Sequence, residues 1–409
     1  MNTLSRSHNQ SIGTMTSSEV RSNLKLRNRE PAPEAAKATG LKASKALHPK
    51  KPIRRKLEAM VGMPLLDFYF KREQKHCNLV GPKQVYLPRQ RIPMYYYERK
   101  AVLPKDKSVD QQDIPTLLFC HGIGSSALEF FSLLRRLNVP PQVRILIPEN
   151  IGHGEDLKRA ISSESFHYPS PSDMVEATSE FLDVVNVSSN CNAMGGSLGG
   201  GIVYYLRIKR PEIIQNTVLV APALLSVLDN TFLEGLSDGS NSFLEYGSRD
   251  DVKEIFRNLL WTGADQQRLN PKKDPIPKFI YEVLYRQNRK APEGHWKSLQ
   301  EGLLKDAIAL RTTSKDNVEI NPEDDGDNIF LATIDKDQDS RRVVVWPEED
   351  QICKLEKGRR FFEASVSSGK CQFETLPDCG HIFHANGSQI YDIAAPKIKD
   401  FLLDFWIEV

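Results

Sequence analysis

The sequence predicts an α/β fold built on a mostly parallel sheet, and three observations carry that prediction. Short apolar runs alternate with amphipathic stretches between Thr116 and Pro222. The runs themselves, such as "TLLFC" (116–120), are continuously apolar, as expected for strands covered on both faces. The intervals between them are long enough for helical crossovers, which parallel strands require. With 409 residues, 40% of them hydrophobic and 26% charged, the chain has the ordinary composition of a globular protein and ample length for a large core.

The elements follow in order. "QVYLP" and "PMYYYER" (from Gln84) read as two short strands of a hairpin, ahead of the strand at 116–120. "ALEFFSLLRRLN" has helical spacing at Leu128, Phe131, Leu134 and Leu137, and "VRILIPE" is the next buried strand. "SDMVEATSEFLDVV" is a helix with Ser172 or Asp173 as its N-cap. "NCNAM" is a strand, "LGGGIVYYLRIKR" a helix and "TVLVAP" a strand. The alternation then stops until "RRVVVW" (341–346). Between them apolar residues fall on single helical faces: Val252, Ile255, Phe256, Leu259 and Leu260; then Phe279, Ile280, Val283 and Leu284; then Trp296, Leu299, Leu303 and Leu310. This predicts a helical insertion over the sheet, with core segments at 57–225 and 341–409 flanking an insertion at 226–340. The insertion ends in "NPEDDGDNIF" and "DKDQDS", whose acid density suggests a calcium loop. The spacing fits no EF-hand and lacks the terminal glutamate, so the segment reads as a solvated acidic loop. A strand at "CQFETLP" and an amphipathic helix from Gln389 to Phe405 complete the chain.

Net charge is +2, but residues 1–56 carry 13 Lys and Arg against three acids, leaving an acidic body. That segment is rich in Ser and Asn and has no apolar period, so it reads as a disordered basic arm. A mitochondrial or plastid transit peptide is the sharper alternative, since residues 1–29 contain Ser and Arg with Glu19 as the lone acid. Neither a secretory signal nor an apolar run of membrane-spanning length is present, and the expected compartment is the cytoplasm unless the arm is an address. The stretch at 51–72, "KPIRRKLEAMVGMPLLDFYFKR", joins an apolar patch to basic flanks and could touch an anionic membrane. Pro64 and Asp67 interrupt the patch, and packing against the domain explains it equally well. The six cysteines show no CxxC and no metal spacing with histidine, so buried free thiols are expected and no metal or cofactor is.

The chemistry centres on "AMGGSLGGG" (193–201). Gly195-Gly196-Ser197-Leu198-Gly199 satisfies G-x-S-x-G between a predicted strand and a predicted helix. A sharp turn there lifts the serine hydroxyl above the sheet, with the helix-opening amides directed at it. A serine needs a base to attack. His381 lies beyond the last strand on the same sheet edge, after Gly380; His384 is its rival, and His121 and His153 read as loop residues. The base needs an acid to hold its tautomer, and "VVVWPEEDQI" offers Glu348, Glu349 and Asp350 at a strand end, among which composition cannot choose. An oxyanion hole is expected from the amides of Leu198 and, in "HGIG" (121–124), Ile123.

Together "HGIG", "GGSLG" (195–199), "WPEEDQI" (346–352) and "CGH" (379–381) resemble the α/β-hydrolase superfamily, in its lidded esterase and lipase branch, over residues 84–409. The resemblance implies an eight-stranded-type sheet and a cap formed by the helical insertion. A strand-end Trp-Gly-x-x-Asp pattern aligns its acid with Asp350, so the implied triad is Ser197, Asp350 and His381. "NIGHGED" (150–156) looks like the family's Gly-His-Gly loop. Departures are Pro347 where the pattern has glycine, and Gly196 where many relatives have a bulkier residue. His381 is followed five residues later by Asn386, a near miss to a His-x-x-x-x-Asp acyltransferase element. The expected function is hydrolysis of carboxylic, apolar or lipid-like esters. Acyl transfer or thioester cleavage on the same triad, and a non-catalytic binding protein on the same scaffold, are the alternatives. The expected partner is a small-molecule ester or lipid rather than nucleic acid; no motif speaks to oligomeric state.

Overall fold

In the computed structural model the apolar runs become eight strands of one sheet: β1 (Val80–Leu87), β2 (Ile92–Arg99), β3 (Thr116–Cys120), β4 (Arg144–Pro148), β5 (Cys191–Gly196), β6 (Ile214–Val220), β7 (Arg342–Pro347) and β8 (Cys371–Leu376). The structure describes residues 52–103, 114–157, 168–238, 244–260, 278–291, 294–315, 340–377 and 395–404, with 335, 337, 380 and 381. The expected disordered arm lies outside these apart from its last residues, as do His384, Asn386 and Cys379. Strand order is β1-β2-β4-β3-β5-β6-β7-β8. The β1–β2 hairpin and the β2–β4 pair are antiparallel; every pairing from β4 to β8 is parallel. Chain order reverses beside β3, where β4 lies on one side and β5 on the other, the arrangement that opens a crevice at the carboxyl ends of the strands.

Ten helices are described: α1 (Pro52–His76), α2 (Phe131–Leu137), α3 (Pro171–Val184), α4 (Leu198–Lys209), α5 (Asn230–Asp238), α6 (Arg249–Leu260), α7 (Lys278–Asn288), α8 (His295–Lys315), α9 (Leu355–Ser367) and α10 (Ala395–Asp404). Because β3, β5 and β7 are buried throughout, the sheet separates two apolar layers. One layer gathers α3, α4 and α9 side chains, including Phe181, Ile202, Tyr204 and Phe362. The other gathers Phe130, Phe131, Leu134, Leu137, Ile398 and Leu402 from α2, its lead-in and α10. Alternate residues of each strand feed the two layers: Leu118 and Cys120 one, Leu117 and Phe119 the other.

Several elements differ from expectation. The N-cap of α3 is Ser170, ahead of the expected Ser172 or Asp173. Its side chain accepts from the Asp173 amide, and Asp173 caps back onto Ser170 N–H, with Pro171 at the first helical position. The Ser-Pro-Ser-Asp run allows three caps, and only Ser170 combines proline with a capping box. Helix α1 begins at Pro52, ahead of the expected limit of the arm at 56, and runs through Pro64; Lys51–Val409 forms one compact unit. Helix α9 was not expected, although Gly358, Phe361, Phe362 and Ser365 give its buried face a 3–4 spacing. Gly358 is required there because a Cβ would lie 2.4 Å from the Trp346 ring.

The insertion is helical where it is described, through α5, α6, α7 and α8. Leu299 on α8 and Val252 on α6 are fully buried. Its acidic end is not wholly a solvated loop. Asp335 is 1% exposed and accepts from Arg342 (2.9 Å), Tyr204 (3.1 Å) and Ser365. Burying Arg342 at the start of β7 demands this carboxylate, since an unpaired buried guanidinium is strongly unfavourable.

Candidate active site

Ser197 occupies the turn from β5 to α4 with φ +53° and ψ −124°, a conformation rare for a residue with a side chain. Its backbone is pinned on both sides: its N–H donates to Val220 O (2.9 Å), and its carbonyl accepts from Ala223 N (2.8 Å) and Gly201 N (3.0 Å). The surrounding glycines allow the close approach this turn needs. A Cβ on Gly195 would meet Gly199 O at 2.2 Å, and one on Gly199 would meet Cys120 O at 1.9 Å. Strand β3, the elbow and the first turn of α4 are therefore in backbone contact, which places Ser197 beside the loop that follows β3.

His381 Nε2 lies 2.8 Å from Ser197 Oγ, and its Nδ1 lies 2.7 Å from Asp350 Oδ2. The three residues converge from three sheet segments, with Ser197 and His381 separated by 184 positions. Asp350 is 3% exposed and His381 7%. The other Asp350 oxygen, Oδ1, accepts from the backbone amides of Ile352 (2.9 Å) and Cys353 (2.8 Å). Two amides thus hold the carboxylate so that its second oxygen faces the imidazole, which fixes Nδ1–H as donor and Nε2 as acceptor toward the serine hydroxyl. Glu348 is exposed on the same turn. The turn is in turn fixed by Trp346, whose indole N–H donates to Cys353 O (2.8 Å).

Leu198 opens α4, where the first amides have no partner within the helix. Gly122 lies against Ser197, with room for a Cβ only 3.5 Å from Ser197 Cβ, and its N–H donates to Glu129 Oε1 (3.3 Å). Ile123 follows it in the same loop. His121, expected to be a loop residue, is fully buried: Nδ1–H donates to Gly122 O (2.9 Å) and Nε2 accepts from Asn150 N–H (2.9 Å). Asn150 Nδ2 donates to His121 O (2.9 Å), so the 121–124 and 150–156 loops brace each other. Burial lowers His153 to about 3 and His295 on α8 to about 4. Both are neutral near pH 7 and neither contacts Ser197.

Three features near the site had little sequence signal. Leu244, from the insertion, is 4% exposed and packs so closely on Gly124 that a Cβ there would lie 2.9 Å from Leu244 Cδ2. Asn288 holds Leu244 in place by donating to its carbonyl (2.6 Å). The amides that fix Asp350 belong to residues two and three positions further on, and backbone donors leave no mark in residue type. Asp350, Cys353 and His381 also bring three potential metal-ligand atoms within 4.8 Å of one another. This set does not fit a metal: both Asp350 oxygens are already engaged, and burial, reinforced by Asp350, raises the Cys353 thiol well above its ordinary value.

A comparison with curated protein sequences found no match. Among solved structures the fold is similar to that of a putative lipase from Acinetobacter baumannii, with TM-score 0.58, 18% identity and coverage of 84% of this chain and 97% of the other. It is also similar to a membrane phospholipase A described as a bacterial virulence factor (TM-score 0.57, 14% identity, 86% and 95% covered). A variant of the meta-cleavage product hydrolase CumD follows (TM-score 0.52, 15% identity, 80% and 98% covered). Residues 115–388, well over half of the chain and spanning β3 to the segment beyond His381, match the family model for the alpha/beta hydrolase fold, and the chain belongs to that family.

Proposed function

We propose that this protein is a serine hydrolase that cleaves carboxylic esters through an acyl-enzyme, with Ser197, His381 and Asp350 as its triad. The observation that carries the reading is the continuous relay of 2.8 Å and 2.7 Å from Ser197 Oγ through His381 to a carboxylate anchored by two amides. Ser197 attacks the acyl carbon as His381 Nε2 takes its proton. The amides of Leu198 and Ile123 hold the oxyanion, and Asp350 stabilises the imidazolium. Collapse of the tetrahedral intermediate expels the alcohol, which takes the proton back from His381. Water activated by the same imidazole then releases the acid and restores the hydroxyl.

An apolar or lipid-like acyl group fits the surroundings. Ile123 packs against the same apolar cluster that contains Leu198, Leu224, Leu233, Leu244 and Leu299, most of them from the insertion. We read residues 226–340 as the cap over this site. A fluorophosphonate probe tests the reading: wild-type protein is labelled and Ser197→Ala is not. Absence of labelling on folded wild-type protein favours the non-catalytic scaffold. A panel of p-nitrophenyl esters of rising chain length, with and without added alcohol or thiol acceptors, separates hydrolysis from acyl transfer.

A further inference from the structure

Helix α1 packs on the body through one side. Glu73, 2% exposed, accepts from Arg135 (2.9 Å), Cys77 Sγ reaches Phe131 O (3.4 Å), and the Tyr69 hydroxyl meets Ser132 Oγ (2.6 Å). The same helix packs against α7 of the insertion. Its other side is different. Leu65 is 53% exposed and Phe68 67%, both large apolar side chains with no cover among the described residues. At 100° per residue, Leu65, Phe68, Arg72 and Lys75 fall within a wedge of about 80°, roughly opposite Glu73 and Cys77. Asp67, which lies between Leu65 and Phe68 in the chain, is paired with Lys71 at 2.8 Å and falls outside the wedge. Apolar side chains at one end of a stripe and, at the other, cations with no ion pair among the described residues are what an interfacial helix presents to a lipid headgroup layer.

We propose that this outward face of α1 docks on an anionic lipid surface, with Leu65 and Phe68 entering the acyl boundary and Arg72 and Lys75 meeting the headgroups. Charge complementarity selects the occupant. The chain leading directly into α1 carries a large excess of Lys and Arg over residues 1–56, adding the long-range attraction that two apolar side chains alone would lack. A second copy of this chain would bring the same cationic stripe and basic leader against each other, which repels. Because α1 also packs on α7, docking holds the insertion next to the lipid. The proposal concerns a surface and stands independently of the ester chemistry.

The test is co-sedimentation of the full-length protein with phosphatidylcholine vesicles with and without phosphatidylserine. Binding is expected only with phosphatidylserine. The double variant Leu65→Ser/Phe68→Ser weakens it roughly tenfold, and Arg72→Gln/Lys75→Gln does so by a similar factor. All four positions are on a solvent-facing stripe, so far-ultraviolet circular dichroism and melting should match wild type. Binding that salt abolishes but Leu65→Ser/Phe68→Ser leaves unchanged would mean that the basic arm acts alone, overturning the proposal. So would no binding to either vesicle. A wild-type dimer in sedimentation velocity that this double variant converts to monomer, without vesicle binding, would make the face an interface between copies and also overturn it.

Discussion

Replacing Asp350 by Asn tests the geometry of the site most sharply, because the structure dictates how the new side chain must sit. The Ile352 and Cys353 amides both donate to one Asp350 oxygen, at 2.9 and 2.8 Å. The carboxamide that Asp350→Asn introduces can satisfy those two donors only with its oxygen, since turning its NH2 toward them would set donors against donors. The NH2 therefore faces His381 Nδ1, which sits 2.7 Å from the second carboxylate oxygen. An imidazole facing a donor must accept through Nδ1 and carry its proton on Nε2. That proton then points at Ser197 Oγ, and the base has no lone pair for the hydroxyl. The loss is that of a wrong tautomer plus a missing counter-charge, on the order of 10⁴ in kcat, or ~5.5 kcal/mol of transition-state stabilisation. The assay is kcat and KM on a soluble p-nitrophenyl ester, with a urea unfolding curve to show that the variant folds. Glu348→Gln serves as the control and is expected to stay within about threefold of wild type, because Glu348 is exposed on the same turn. If Asp350→Asn retains activity within tenfold of wild type, the carboxylate is not orienting the base and the relay is not the catalytic device.

Stability in acid should fall through a defined window. His153 and His295 have folded pKa values near 3 and 4, below the unfolded value near 6.5, so their contribution is intact above pH 6.5 and declines as pH drops toward 4 and 3. Between pH 7 and 5 each should cost about 2 kcal/mol in urea unfolding, and His153→Asn should remove its share of that slope; identical slopes for wild type and His153→Asn would contradict the burial argument. Gly199→Ala sets a Cβ 1.9 Å from the Cys120 carbonyl oxygen, a backbone atom that cannot give way, and should cost more than about 3 kcal/mol or abolish soluble expression; a wild-type urea midpoint would count against the elbow geometry. Leu244→Ala opens space over Gly124 and should raise KM for long-chain esters about tenfold while sparing acetate esters, whereas an equal effect on both would remove Leu244 from the acyl pocket.

Much of this protein is legible in one dimension, because strands, helices and the elbow are set by neighbours. The strands at 116–120 and 342–347 are buried on both faces, and the apolar runs Leu117–Cys120 and Val343–Trp346 write that burial into the sequence. The elbow is written as glycines because backbone approaches of 1.9 and 2.2 Å leave no room for a Cβ. Helix boundaries are less legible: "SPSD" contains several capping residues, and the choice of Ser170 depends on which register closes both capping bonds. Helix α9 carries a weak apolar period because its buried face includes Gly358 and Ser365, small residues that fit against the Trp346 ring and Asp335.

Tertiary structure alone decided the matters that depend on distant segments meeting. From the residues themselves Glu348, Glu349 and Asp350 were equivalent; resemblance pointed to Asp350, and the turn after β7 buries it and hands it two amides and an imidazole. The acidic stretch before β7 reads as solvated because the partner that draws Asp335 inward, Arg342, stands seven residues later and is buried only in the assembled chain. The outward stripe of α1 is likewise invisible in a helix apolar on several sides, until packing against α2 and α7 settles which side is left bare. Local periodicity encodes what each segment is, whereas burial and hydrogen-bond partners belong to the assembled chain, and those are what turn a serine, an acid and a histidine into one site.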